Sequence, residues 1–285
     1  MTKLSRSWPV TEKTEAIRFL SEQVPELSKS RLKDAMVKGC VWLQQGKKQK
    51  RLRRAQTSLL PGQQLSLHYD AAILQRQVAA SALLQDFGAY SLWWKPPGVL
   101  SQGSLWGDHL SLLRQAELAT KRPVFLVHRL DREASGLVLL AHQSKAAAVL
   151  SQQFQQSTLG KTYHVAVQGT LADEVLQRGE ITSPLDGKSC ITRFSLLSSQ
   201  QQPEQSWLQV QLLTGRKHQI RRHFAGLGHP VMGDPRYGNK ASMAETLALQ
   251  AVALEWQCPQ SRQRRSFALP NHLQLIQQLG NGGVE

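Results

Sequence analysis

The segment "HRLDREASGLVLLA", residues 128–141, sets the tightest condition on any fold of this chain. Its second half is an uninterrupted apolar run, which reads as a buried strand. Directly before that run stand His128, Arg129, Asp131, Arg132 and Glu133. Charges taken to the edge of a core are costly unless they pair or do chemistry. A fold that buries this strand must therefore give the charges partners, or a function must use them.

The rest of the composition narrows what that function can be. With 35 Lys+Arg against 20 Asp+Glu the chain carries a net charge of +15, which favours polyanionic partners such as nucleic acid. Anionic lipid is the weaker match, because the basic residues do not interleave with a broad apolar helical face. The 285 residues suit one large domain and one small one. Cys40, Cys190 and Cys258 lie too far apart for a CxxC pair or a disulfide framework, so a reducing cytoplasm is the expected setting. No run approaches the roughly 18 apolar residues of a membrane span, and the first 15 residues have no apolar signal-peptide core.

Apolar positions predict two short helices near the N-terminus, one through Ile17, Leu20 and Val24, the other through Leu32, Met36 and Val37 after a Ser28 cap. Gly39 is placed to end the second. "CVWLQQGKKQKRLRR" then reads as a strand, a turn at Gly46 and a basic segment, and "PGQQLSLHYD" as a strand with alternating Leu65, Leu67 and Tyr69. Residues 1–70 hold 14 Lys+Arg and 6 Asp+Glu, about half of the chain's excess in a quarter of its length. The densest cluster, Lys47, Lys48, Lys50, Arg51, Arg53 and Arg54, is expected to contact RNA phosphate. Residues 71–84 read as a linker. Beyond it, strands are predicted at 89–94, along "KTYHVAVQG" (161–169), at 191–197 and at 207–213, with helices from Ser144 and over 216–227. "SSQQQPEQS" (198–206) reads as a surface loop.

Chemistry concentrates in three segments: residues 128–136, 161–169 and 214–238. His218, His223 and His229 are spaced by five and six, which does not bring imidazoles to one helix face, so no metal is expected. Ser135 lies outside a GxSxG elbow, and no GxxxxGK[ST] phosphate loop occurs. What remains is Asp131, with Arg129 and Arg132 beside it and Arg216 or Arg221 as further partners. A carboxylate next to a fixed guanidinium stays ionised, which suits a nucleophile; bracing of the fold is the alternative, and composition does not separate the two.

These residues carry a resemblance. "HRLDREASGLVLLA" looks like the catalytic motif of RNA pseudouridine synthases of the RluA type, "KTYHVAVQG" like their tyrosine-bearing strand, "TGRKHQIRRHFAGLGHPVMGDPRYG" like their third motif, and "WWKPPGVLS" like their opening strand and turn. The four occur in family order over residues 85–238. The helix, helix, basic hairpin, strand order of the N-terminal part resembles the small alpha-L RNA-binding domain first recognised in a ribosomal protein of the small subunit.

The resemblance implies an α+β fold: a pseudouridine synthase catalytic domain with a mixed, largely antiparallel sheet over residues 85–285, preceded by a small α/β RNA-binding domain over 1–70. It implies isomerisation of uridine to pseudouridine in structured RNA, without cofactor or metal, by a monomer. Ribosomal RNA is favoured over transfer RNA because of the alpha-L domain. Asp131 is implied as the catalytic aspartate, acting either on the anomeric carbon or by promoting loss of the neighbouring sugar proton to give a glycal. Tyr163 would stack on the flipped uracil, Arg221 would pair with the aspartate, and Arg129 would fill the space that the nucleotide leaves. His128, Arg216 and Lys217 are expected to contact RNA or orient the site, and Glu133 to be solvated or paired to Arg. The chain departs from the family pattern at Ala134 and Lys217, where Thr is frequent, and at Gln250 and Cys258, where His is typical. A non-catalytic RNA-binding or ribosome-assembly factor is the rival reading, and a uracil-releasing glycosidase the other enzyme.

Overall fold

The computed structural model describes residues 3–201, 204–238 and 246–280, and the chain divides into two units, Met1–Val78 with Gln102–Ala119, and Ala79–Ser101 with Thr120–Glu285. In the first unit, β1 (Lys3–Pro9) and β2 (Thr14–Glu15) lead into α1 (Ala16–Gln23) and α2 (Lys29–Val37). Ser28 caps α2 by accepting the Arg31 amide at 3.4 Å. The buried face of α2 is Leu32, Ala35 and Met36; Val37, expected to share it, is 59% exposed, because it falls one residue past the stripe. β3 (Val41–Gln45), β4 (Lys48–Arg51), β5 (Ser58–Leu59) and β6 (Gln64–Asp70) follow. The four-stranded sheet runs β1-β6-β3-β4, over a core that includes Leu20, Leu32, Met36, Val41, Leu65 and Leu67.

β1 went unforeseen in the sequence because its burial is nearly all in Leu4; pairing with β6 along seven residues makes it a strand. The expected linker is also structured at both ends. Asp70 accepts the amides of Ala72 and Ile73 at 3.0 and 3.2 Å to cap α3 (Ala71–Leu74), and β7 (Ala82–Asp86) joins the second unit's sheet. The sequence reading placed residues 102–119 in the catalytic domain. In the structure this segment, with most of α4 (Leu112–Thr120), clusters with the N-terminal unit. Asp108 is the reason: it pairs with Arg51 Nε at 3.1 Å and with Arg53, while Arg51 and Arg53 also donate to the carbonyls of Gly39 and Val37. Gly39 ends α2 at φ +80°, and a Cβ there would lie 2.9 Å from Arg53 Nη1.

The second unit is built on one ten-stranded sheet. Its strands are β7, β8 (Tyr90–Lys95), β9 (Phe125–Leu126), β10 (Ser135–Ala141), β11 (Gly160–Gln168), β12 (Glu180–Ile181), β13 (Thr192–Gln201), β14 (Glu204–Leu212), β15 (Leu249–Gln257) and β16 (Arg264–Ala268). The order is β12-β13-β14-β11-β15-β10-β8-β7, with β16 on β15 and β9 on β10. β10 and β15 are parallel and the other pairings antiparallel, so the sheet is mixed and largely antiparallel as the sequence implied. Helices α5 (Ser144–Gln155), α6 (Asp173–Arg178), α7 (Gln219–Gly226) and α8 (Leu275–Gly280) complete the unit. The Gln-rich stretch read as a loop instead extends β13 and β14, which pair up to Gln201 and Glu204. The β13 end of the stretch is mostly exposed and is sustained by pairing, whereas on β14 Gln205 and Ser206 are buried and hydrogen-bonded, Gln205 to Gln200 and Ser206 to the Gly169 carbonyl. Residues 202–203 lie outside the described residues.

All seven residues of β10 are buried, which explains the apolar run. Entry into the strand depends on Gly136. At φ +116° it sits beside β15, and a Cβ would come within 2.5 Å of Ala251 N and 2.8 Å of Ala251 C. Gln250 on β15, where the family pattern has His, is buried and bonds the carbonyl of Leu273 and the amide of Leu275, both at 2.8 Å. It thus ties down the C-terminal segment and leaves the site untouched. No helix among the described residues is long and apolar enough to cross a membrane.

Candidate active site

Asp131 lies in the turn between β9 and β10, and that turn is held from a second segment. Ser101 Oγ donates to the Leu130 carbonyl at 2.7 Å and accepts the Leu130 amide at 3.0 Å, so the residue before Asp131 is fixed at both backbone groups. On the other side, the Arg132 carbonyl accepts from Gly98 N at 2.8 Å and Lys95 Nζ at 3.2 Å. Lys95 is fully buried and also donates to the carbonyls of Pro96 and Val99. Burial pushes its ammonium down to about 7, against the raising effect of Glu133 and Asp131. The "KPPG" turn is therefore a frame for the aspartate, a role the sequence did not reveal.

Among the candidate partners, Arg221 on α7 takes the carboxylate, donating from Nη1 to Asp131 Oδ2 at 3.0 Å. Arg132 pairs instead with Glu133 at 3.0 Å, and Arg129 and Arg216 are exposed. Arg221 is in turn clamped by Asp234: Nε to Oδ2 at 2.7 Å and Nη2 to Oδ1 at 2.8 Å, a planar two-point fit. Asp234 Oδ1 also accepts the amides of Arg236 and Tyr237 at 2.9 and 3.0 Å. Burial raises the Asp234 carboxyl, but the Arg221 and backbone hydrogen bonds outweigh it and hold it below the ordinary carboxylate value. Burial opposes the Arg221 charge, and the bonds to Asp234 and Asp131 reverse that, so it stays a cation. The sequence reading did not single out Asp234. Its signal was the "DPRY" turn, in which an Asp followed by Pro accepts amides two and three residues on.

The second oxygen of Asp131 faces His218, whose Nε2 is 3.5 Å from Oδ1. His218 sits just before α7 at φ +54°, an uncommon conformation for a residue with a Cβ, and its Nδ1 meets the Tyr237 hydroxyl at 3.0 Å. This explains why α7 starts at Gln219 and not at 216: residues 214–218 form the turn that delivers His218.

Tyr163 projects from β11, between β14 and β15, into an open cavity of about 1010 Å³ that Asp131 and Arg221 also line. Burial, and secondarily Asp131, raise its phenol above the ordinary value, so it presents a neutral ring. His128 is committed inward: Nε2 accepts the Leu139 amide at 2.9 Å and the ring stacks on Phe154 at 3.9 Å. Burial, then Lys161, push it down to about 3, which leaves it a neutral wall of the cavity and removes it from phosphate pairing. Arg129, Arg216 and Lys217 line the same cavity, whereas Arg51 and Arg53 belong to the first unit and are spent on Asp108 and backbone carbonyls. Lys47, Lys48, Lys50 and Arg54 are exposed. No cluster of three or more potential metal ligands occurs among the described residues.

A carboxylate held at one oxygen by a buried guanidinium, with an aromatic ring and cationic rim around it, can attack or deprotonate an electron-poor sugar while a flat base stacks nearby. Known proteins similar to this chain place it in a family. The sequence model of the family described as RNA pseudouridylate synthase matches residues 89–226. The dual-specificity RNA pseudouridine synthase RluA of Vibrio parahaemolyticus is 32% identical over 196 residues, covering 62% of this chain and 77% of that protein. The ribosomal large subunit pseudouridine synthase C of Vibrio cholerae is 31% identical, covering 65% of this chain and 64% of that one. Other curated relatives are matched over about half their length, 45% and 53%. The human RNA pseudouridylate synthase domain containing 1 shares the fold, with a TM-score of 0.57 at 20% identity over 69% of this chain and 86% of that one. By these matches, the first of which spans Asp131, Tyr163 and Arg221, the chain belongs to the RluA-type family of RNA pseudouridine synthases.

Proposed function

We propose that this protein isomerises uridine to pseudouridine in structured RNA, with Asp131 as the reacting carboxylate. The observation that carries the reading is the Asp131 carboxylate itself, fixed at Oδ2 by Arg221 and at the backbone on either side, inside the cavity that Tyr163 lines. The reaction breaks the bond between uracil N1 and the sugar's anomeric carbon and forms one from that carbon to C5. C5 then loses its proton and N1 gains one, so nothing is consumed. Asp131 acts either by attacking the anomeric carbon or by taking the neighbouring sugar proton to give a glycal. Arg221 holds its Oδ2 in both routes. The flipped base, whose unstacking costs a few kcal/mol, is held on Tyr163 by a stack worth about 1–3 kcal/mol. Arg129 takes the vacated space in the RNA.

The exposed cations Lys47, Lys48, Lys50 and Arg54 make the N-terminal unit a phosphate-binding module, and this favours ribosomal over transfer RNA. Its relatives include both a ribosomal large subunit pseudouridine synthase and a tRNA pseudouridine synthase. The protein acts as a monomer in the cytoplasm, in keeping with three free, buried cysteines. Replacing Lys47, Lys48, Lys50 and Arg54 by Gln should weaken RNA binding at least about tenfold and flatten its salt dependence by up to about four counterions. Arg51→Gln with Arg53→Gln should instead lower the melting temperature of the first unit. Equal salt slopes for wild type and the fourfold variant would exclude the hairpin from the interface.

The function itself is tested by mapping pseudouridine in total RNA from cells lacking the gene, complemented with wild type or with Asp131→Asn. Sites lost on deletion and restored by wild type alone support the reading and name the target. Complementation by Asp131→Asn overturns the catalytic assignment.

A further inference from the structure

Lys161 is left without a task by the chemistry above. It is the second residue of β11, is 9% exposed, and lines the same cavity as Tyr163 and Asp131. Among the described residues its ammonium has neither a hydrogen-bond partner nor an ion pair, and burial alone pulls its charged form down with no acidic neighbour to compensate. A largely desolvated cation without a partner is a standing cost to the fold. Its surroundings are cationic as well: Arg129, Arg216 and Lys217 line the cavity and make no ion pair among the described residues. Nζ rests beside the turn that carries the last two, 3.8 Å from where a Cβ on Gly215 would stand. Asp131, the carboxylate of the cavity, is already held by Arg221.

We propose that Lys161 is a phosphate anchor, binding the backbone phosphate next to the flipped uridine. Lys161 and Tyr163 project from the same face of β11, two residues and so about 7 Å apart. A base stacked on the Tyr163 ring therefore has its sugar and phosphate within reach of the ammonium. A lysine is a compact point charge suited to a single phosphate oxygen, and an RNA phosphate supplies an anionic partner for Lys161. The proposal rests on the cavity being the nucleotide site and adds which group of the nucleotide Lys161 recognises.

The test is binding of uridine 5′-monophosphate and of uridine to the full chain, for wild type, Lys161→Met and Lys161→Arg, followed by NMR titration, with thermal melting of each. Wild type should prefer the monophosphate at least about tenfold, Lys161→Met should erase that preference, and Lys161→Arg should restore most of it. Because Lys161→Met removes an uncompensated buried charge, its melting temperature should stay level or rise. A wild type that does not distinguish the two ligands, a Lys161→Met variant that weakens both equally, or one that melts lower with its phosphate preference intact would each overturn the anchor. These readouts involve no turnover. A protein that binds the monophosphate through Lys161 and forms no pseudouridine defeats only the catalytic reading, whereas one that forms pseudouridine with no phosphate preference defeats only the anchor.

Discussion

Asp131→Asn should reduce pseudouridine formation by at least about 10⁴-fold in single-turnover assays, about 5.5 kcal/mol in the barrier, with RNA affinity changed less than about twofold. The geometry separates the two effects. An amide keeps an oxygen for Arg221 Nη1, and Arg221 retains both of its bonds to Asp234, so the cavity and its cationic rim stand. What is lost is the negative charge, and a neutral amide can neither attack the anomeric carbon nor take a sugar proton. Melting should therefore move little while turnover disappears. Retained turnover would mean that another group performs the chemistry and that Asp131 is a brace. Parallel loss of binding and turnover would place the residue in RNA recognition instead.

Asp234→Asn should have the largest effect on stability, about 3–5 kcal/mol by chemical denaturation. Asp234 has a fully buried side chain and neutralises an Arg221 side chain that is 3% exposed. Removing its charge leaves a buried guanidinium facing Asp131 alone, which is 22% exposed and better solvated. The pH dependence follows from the direction of the shift. The folded carboxyl of Asp234 titrates below its unfolded value, so its contribution is complete above the unfolded value and is lost as pH falls through the folded one. The gap in stability between wild type and Asp234→Asn should thus be full at neutral pH and close at strongly acidic pH. A gap that stays constant down to acid would show that packing, and not the charge pair, is what the substitution removes. Turnover should fall as well, because Arg221 then loses the clamp that aims it at Asp131.

Much of the site was legible in the chain because its motifs are local. The charged turn and the buried strand it feeds are consecutive, so residues 128–141 disclose both Asp131 and the strand behind it. β11 shows its alternation directly, and Tyr163 lies within it. The hairpin of β3 and β4 was readable from Gly46 and the alternation around it, and the cap of α2 from Ser28. Elements whose stability comes from partners were not readable. β1 has one well-buried residue and pairs with distant β6, and the polar end of β13 has none and pairs with β14, so the strand character of both lies in pairing.

The sequence by itself carried the motifs of the family and marked Asp131 as the candidate carboxylate, because both lie in contiguous residue types and their spacing. Tertiary structure decided who pairs with whom. Nothing in spacing distinguishes Arg51 and Arg53 from Lys47 and Lys50, yet Asp108, more than fifty residues on, turns the first two inward and leaves the lysines exposed. Nothing local selects Arg221 over Arg129, Arg132 or Arg216 as the aspartate's partner, or marks Asp234 as the group that fixes it. Nor does local sequence show that Lys161, two residues before Tyr163, is buried with no partner for its ammonium among the described residues. Charge pairing depends on distance and burial in space, and the chain acquires those only when its strands have paired.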